Sequence, residues 1–264
     1  LTNQPIDDEA FLIINSGRYE YKNKGIDLFI KAMGELNNKK LNKQIIAVIA
    51  VPAHTTDIYK SLAKRIGNED LEAPTTNHFL THHLYNPEQD PILREIKSSG
   101  LSNSTEDNVK IIFIPAYLNG GDGIVNIKYF DFLIGFDMSV FPSYYEPWGY
   151  TPMESMSFSI PSITTNLAGF GLWIKDKLEG NNAGSKVIER NDFRTQETID
   201  EIIRIIESTI GLEEAEIEKL REQAFEIAQS TLWSNLIKYY YQAFEIGIAK
   251  TERRIEPLVT SFHQ

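Results

Sequence analysis

The run Phe141-Pro-Ser-Tyr-Tyr-Glu-Pro-Trp-Gly-Tyr-Thr-Pro-Met-Glu154 constrains this chain more than any other stretch. A short apolar segment, 137–141, feeds it, and Pro142, Pro147, Gly149 and Pro152 then forbid a regular strand. A helix is predicted to follow over 153–158. A strand, a Gly/Pro turn and a helix start together leave unpaired backbone N–H groups at the carboxyl edge of a parallel sheet. Such edges are where α/β proteins hold phosphates and other anions. Two carboxylates bracket the turn, Glu146 in the loop and Glu154 in the first helical turn, so both can face one cleft. In isolation this spacing would mean a solvated loop acid and a first-turn acid favoured by the helix dipole. Here it is interleaved with Tyr144, Tyr145, Trp148 and Tyr150. Bulky rings in a loop cost solubility unless they pack, and ring faces suit sugars and bases.

Strands are predicted at the apolar runs 11–14, 44–51 (ended by Pro52), 109–114 (ended by Pro115), 137–141 and 160–165, with a short edge strand at 185–188. Between them Ile26, Phe29, Ile30 and Met33 recur at helical spacing, and helices are also predicted at 55–66, 91–98 and 129–134. From Thr195 the pattern is helical throughout. A stripe of Trp233, Leu236, Ile237, Tyr240 and Phe244 reads as the packing face of a helix laid across the domain. The expected class is α/β, a Rossmann-like parallel sheet with helices on both faces. It forms one domain over 1–264, with an insertion at 67–104 and a helical tail at 195–264.

The net charge of -11 argues against a nucleic-acid partner but leaves room for one diphosphate met by a few local cations. With no cysteine there is neither a disulfide framework nor a thiolate metal site. No apolar run has membrane-spanning length and no signal pattern opens the chain, so no membrane partner and a cytoplasmic location are the default expectations. His78 and His82 have the spacing of a zinc pair on a helix, but no third ligand or general base stands in relation to them. Solvated histidines and no metal are expected.

Arg18 and Lys24 lie between the first strand and its helix, where a cation could project over the sheet edge or simply face solvent; position alone does not decide. Tyr117, in the glycine-bearing loop 116–123, and Tyr129 have the ordinary reading of core aromatics. Residues 168–171 are equally a plain strand-to-helix connection or a ligand turn.

Three stretches carry a resemblance: FPSYYEPWGYTPMES, the following IPSITTNLAGFG, and SGRYEYKNKGIDLFIKAMGELN near the start. Together they resemble the glycogen synthases of the animal and fungal type, retaining glycosyltransferases with two Rossmann-like halves (GT-B), and they match the second half. The resemblance implies UDP-glucose as donor, an α-1,4-glucan as acceptor, transfer with retention and no metal or other cofactor. It implies that Arg18 and Lys24 bind the diphosphate, that Glu146 stands near the reacting sugar, and that Tyr117 and Tyr129 flank uracil and ribose. Backbone N–H groups of Trp148, Gly149 and Tyr150, with Thr151, would meet glucose and phosphate, and Glu154 the ribose. The N-terminal GT-B domain of the same enzyme is the implied partner, and a homo-oligomer is compatible with it. The family's arginine cluster for a sugar-phosphate activator has no counterpart in 225–248, which argues against that control. A transferase using ADP-glucose or another nucleotide sugar, or a non-catalytic nucleotide-binding module, is the alternative.

Overall fold

The computed structural model describes residues 6–67, 79–177, 184–191 and 193–261, with side chains as far as 254. The chain falls into two compact units, residues 1–225 and 226–264.

The first unit is built on a parallel sheet. Its strands are β1 (Phe11–Ser16), β2 (Ile45–Ala50), β5 (Val109–Ile114), β6 (Met138–Val140), β7 (Ser162–Thr165) and β8 (Ser185–Ile188), in the spatial order β5-β2-β1-β6-β7-β8. A two-stranded antiparallel ladder, β3 (Thr55–Ile58) with β4 (His82–Leu84), stands apart. Helices α1 (Ile26–Asn37), α2 (Lys60–Ile66), α3 (Pro91–Ser98), α4 (Tyr129–Leu133), α5 (Tyr150–Ser157), α6 (Gly169–Lys177) and α7 (Thr195–Ile210) connect them. Helix α8 (Glu214–Ser230) and helix α9 (Trp233–Ser261) follow.

Alternation along the strands sorts the core onto two faces. Ile13, Ile45, Ala47, Ile49, Ile111 and Phe113 point into one layer with α1, α3 and α7, while Ile14, Ile46, Val48 and Ile114 meet Leu133 and Phe136 on the other. Both faces are covered, which is why these strands read as continuous apolar runs rather than as alternation. The Rossmann-like class expected for one half of a GT-B enzyme is the one observed.

Two local expectations are corrected. The stretch expected as a helix over 55–66 opens as strand β3, and only Lys60–Ile66 is helical. Two threonines and an isoleucine prefer the pleated surface once a partner is available, and that partner is β4. Helix α5 starts at Tyr150 rather than 153, with Gly149 as its N-cap and Pro152 in its first turn, where proline costs no hydrogen bond. Along α9, Trp233, Tyr240 and Phe244 lie ring to ring on one face. Helix α7 buries Ile199, Ile202, Ile203 and Ile206 in the core beside α1.

Candidate active site

The sheet changes winding direction between β1 and β6. From β1 the order runs outward to β2 and β5 on one side and to β6, β7 and β8 on the other. Loops leaving β1 and β6 therefore diverge from adjacent strand ends and open a crevice, the usual ligand position in such sheets. A cavity of about 470 Å³ occupies it, a volume suited to a small ligand. Arg18 and Tyr19 line it from the β1 loop, Tyr117 from the β5 loop, Tyr129 from α4, and Thr151 and Glu154 from α5.

Lys24 and Glu146 form an ion pair beside this cavity, with side chains only 12% and 16% exposed. Gly17, which lines the cavity, places the Lys24 Cε 3.9 Å from where its own Cβ would stand. The pair is thus at the cavity's border, 122 residues apart in sequence. Arg18, 74% exposed, is held 3.0 Å from Glu20 and keeps its guanidinium at the solvent side.

Backbone contacts stitch the two loops together. Tyr144 N–H donates to the Asn23 carbonyl at 2.7 Å, and Gly25, at φ +66°, brings its Cα against the Pro142 carbonyl. Arg190, 8% exposed and just beyond β8, donates to the carbonyls of Pro142 and, at 3.3 Å, of Lys22, while its guanidinium lies 5.2 Å from the Tyr144 ring centre. Sequence reasoning missed Arg190; the available signal was a cation placed at the carboxyl end of a strand.

A second support holds Glu146 from the other side. Its N–H donates to Leu167 and its carbonyl accepts from Gly169 at 3.0 Å, and Phe170 N–H donates to the Trp148 carbonyl at 2.7 Å. Any side chain on Gly169 would fall 2.1 Å from the Pro147 carbonyl, so glycine is required there for the loops to meet. Residues 168–171 are therefore a brace for the Glu146 loop.

Of the loop aromatics, Trp148 packs against Phe170 and Trp173 at 5.7 and 6.2 Å, and Tyr144 covers Arg190; only Tyr145 and Tyr150 stand free in solvent. Trp148, Gly149 and Tyr150 are not among the residues that line the cavity. Among the described backbone bonds outside regular elements, none uses the N–H of residues 148–151. These are donors of the kind a helix start leaves open, and of the four residues Thr151 is the one in the cavity's lining.

Tyr129 is set by a 2.8 Å hydrogen bond between its hydroxyl and Ser16 Oγ at the end of β1. Burial pushes its phenol up to about 12, with the Ser16 bond acting the other way and Glu154 adding to the rise. Tyr117 is 77% exposed, its ring free to be covered.

Burial raises the Glu154 carboxyl above the ordinary glutamate range. An acid with a raised folded value binds its proton more tightly when folded, so its contribution to stability falls as pH rises through the window between the unfolded and folded values. Glu154→Gln is therefore expected to stabilise the chain at pH 7, with the gain shrinking towards pH 4; thermal midpoints of both proteins across that range check this. A gain that did not change with pH would contradict it.

The histidine segment needs a further correction. His78 lies outside the described residues, but His82 is buried rather than solvated, its ring nitrogens meeting Thr81 Oγ1 at 2.8 Å and the Asp122 carbonyl at 3.0 Å. It joins β4 to the loop that ends at α4.

Residues 68–254 match the family model described as glycogen synthase. The chain belongs to the glycogen synthase family. It is 28% identical to glycogen [starch] synthase isoform 1 of Saccharomyces cerevisiae, covering 93% of this chain and 44% of that protein. To the glycogen [starch] synthase of Caenorhabditis elegans it is 26% identical, over 96% of this chain and 46% of the relative. The mouse liver glycogen [starch] synthase is 26% identical, over 93% and 42%. The chain thus spans less than half the length of these relatives. Among solved structures, the GtfA/B complex shares the fold, with a TM-score of 0.51 at 11% identity over 89% of this chain and 35% of that one. No helix among the described residues of this glycogen synthase family member is long and apolar enough to cross a membrane.

Proposed function

We propose that this chain is the donor-binding half of a glycogen synthase, holding UDP-glucose for transfer of glucose to the end of an α-1,4-glucan with retention. One observation carries the reading: Arg18, Thr151 and Glu154 line one cavity at the sheet's switch point, and the Lys24–Glu146 pair stands at its border. In this reading the diphosphate lies between Arg18, Lys24 and the open N–H groups at the start of α5. Tyr117 and Tyr129 flank uracil and ribose, and Glu154 accepts from a ribose hydroxyl.

The ion pair suggests how binding and chemistry are linked. The Lys24 ammonium is engaged by Glu146. A diphosphate offers it a stronger partner, and charge gained by the leaving group strengthens that contact further as the glycosidic bond breaks. The carboxylate released by Lys24 is then free to face the glucosyl unit and the positive charge that develops on it. The remaining catalytic groups and the acceptor would come from the other half of the full-length enzyme, so the chain alone is expected to bind UDP without transferring glucose.

Calorimetric titration of the chain with UDP and with ADP tests this. Saturable heat with UDP, and weaker binding of ADP, is expected. Absence of heat at millimolar UDP would contradict the reading, and glucose transfer to glycogen by this chain alone would refute the division of labour between halves.

A further inference from the structure

Between Tyr117 and Tyr129, both of which line the donor cavity, the chain makes a closed loop. Tyr129 N–H donates to the Leu118 carbonyl at 2.9 Å, and Asn119 pairs with Lys128 in an antiparallel bridge, so the two ends meet at the root. The tip is organised around one carboxylate. Asp122 accepts from the N–H groups of Ile124, Val125 and Asn126 at 3.0, 2.8 and 2.8 Å, and Asn126 Oδ1 accepts from Gly123 N–H at 2.8 Å.

Apolar contact beneath the loop is incomplete. Val125 and Ile127 line a concavity of about 530 Å³ together with Val48 and Ile112 of the sheet. Side chains over open space forgo part of their dispersion contacts and do not fix a loop in one place. A directional polar contact does so instead, and His82 makes it. From β4 its Nε2 lies 3.0 Å from the Asp122 carbonyl oxygen, with the Asp122 carboxylate 4.0 Å away. A carbonyl oxygen only accepts, so Nε2 carries a proton and donates it. On the other side of the ring Nδ1 meets Thr81 Oγ1 at 2.8 Å, which sets the imidazole plane. The residue is 5% exposed, so little water competes for these bonds. Beside it Gly123 rests on β3, with Ile58 Cγ2 3.1 Å from where a Cβ would stand.

We infer that His82 is a positioning residue for the nucleotide: it ties the 119–128 loop to the β3–β4 ladder and so holds Tyr117 where it covers the base. The inference rests on the proposed donor-binding role, which gives Tyr117 a base to cover. His82 acts only through the loop, since it does not line the donor cavity. With the bond removed the loop samples other positions, and UDP affinity falls by the fraction of time Tyr117 is out of place.

The test titrates UDP against the unaltered chain, His82→Leu, His82→Gln, Tyr117→Ala and each His82 variant combined with Tyr117→Ala. His82→Leu is expected to melt lower and to bind UDP roughly tenfold more weakly, the effect of losing one hydrogen bond. Glutamine carries an N–H donor near the place of Nε2, so His82→Gln should recover most of that affinity. A residue that merely stabilised the fold would add its full loss to any other variant. Here the His82→Leu loss should largely vanish once Tyr117→Ala has removed the ring, because the two act as one unit. Should His82→Leu not fold, Thr81→Val removes only the hydroxyl that orients the ring and carries the same comparison, with a severalfold loss expected. In a chain that binds UDP, unchanged affinity, losses that add in full, or no recovery with glutamine would overturn the inference alone. Failure of the unaltered chain to bind UDP would fall first on the donor reading and take this inference with it.

Discussion

Lys24→Met is expected to cost both stability and ligand. The ammonium and the Glu146 carboxylate are each mostly withdrawn from water, and removing one leaves the other uncompensated. Breaking a fully buried pair this way costs about 3–5 kcal/mol; with the residual exposure here, roughly 2–3 kcal/mol is the reasonable figure. For a chain of this size that is a drop of roughly 5–10 °C in thermal midpoint. UDP affinity should fall about 10- to 100-fold, the worth of one hydrogen bond to a charged group. The double variant Lys24→Met with Glu146→Gln separates the two effects. It should recover most of the lost stability, because no charge is stranded, and none of the lost affinity. If it recovered both, Lys24 would matter only as a partner for Glu146. Charge reversal at Arg18 contrasts with this, since its exposed side chain predicts weaker UDP binding with little change in melting.

Gly25→Ala has the second large effect. Its backbone sits at φ +66°, and a Cβ would stand 2.0 Å from the Pro142 carbonyl oxygen, which cannot yield as a flexible side chain would. Pro142 is itself fixed by Arg190, so relief requires the β1 and β6 loops to separate. A loss of about 3 kcal/mol or more is expected, together with UDP binding, because the loops that separate carry Lys24 and Glu146. Gly100→Ala is the matched control. Gly100 has a similar φ of +72° with nothing within 4 Å of its Cβ position, so only the conformational cost of about 1 kcal/mol applies. Equal melting of the two variants would mean that the loops are not held as tightly as their contacts indicate.

The parallel strands were legible in the sequence because burial on both faces leaves an unbroken apolar run ended by proline or glycine, as at 44–51 and 109–114. Strand β3 was not, since Thr55–Ile58 is short, half-exposed and defined only by pairing with His82–Leu84, well beyond the reach of local patterning. The crevice was legible for a topological reason. Loops at the carboxyl ends of neighbouring parallel strands must share one edge, so Arg18 and Thr151 had a common destination before any coordinate was known. Which side chains touch was not legible. Lys24 meets Glu146 across 122 residues and Arg190 meets Lys22 across 168, and local spacing carries no trace of either. The partners of the loop aromatics were likewise hidden. The Trp148 and Tyr144 rings pack against Phe170, Trp173 and Arg190, contacts between distant residues that loop composition does not reveal.

A crystal structure of this chain with UDP is the most direct test of the central claim, that the first-strand cations and the proline-glycine bend serve one diphosphate. The account predicts phosphate oxygens within hydrogen-bonding distance of Arg18, of Lys24 turned away from Glu146, and of the N–H groups at the start of α5. A nucleotide bound elsewhere, or bound here with the Lys24–Glu146 pair intact and no phosphate contact to it, would contradict it.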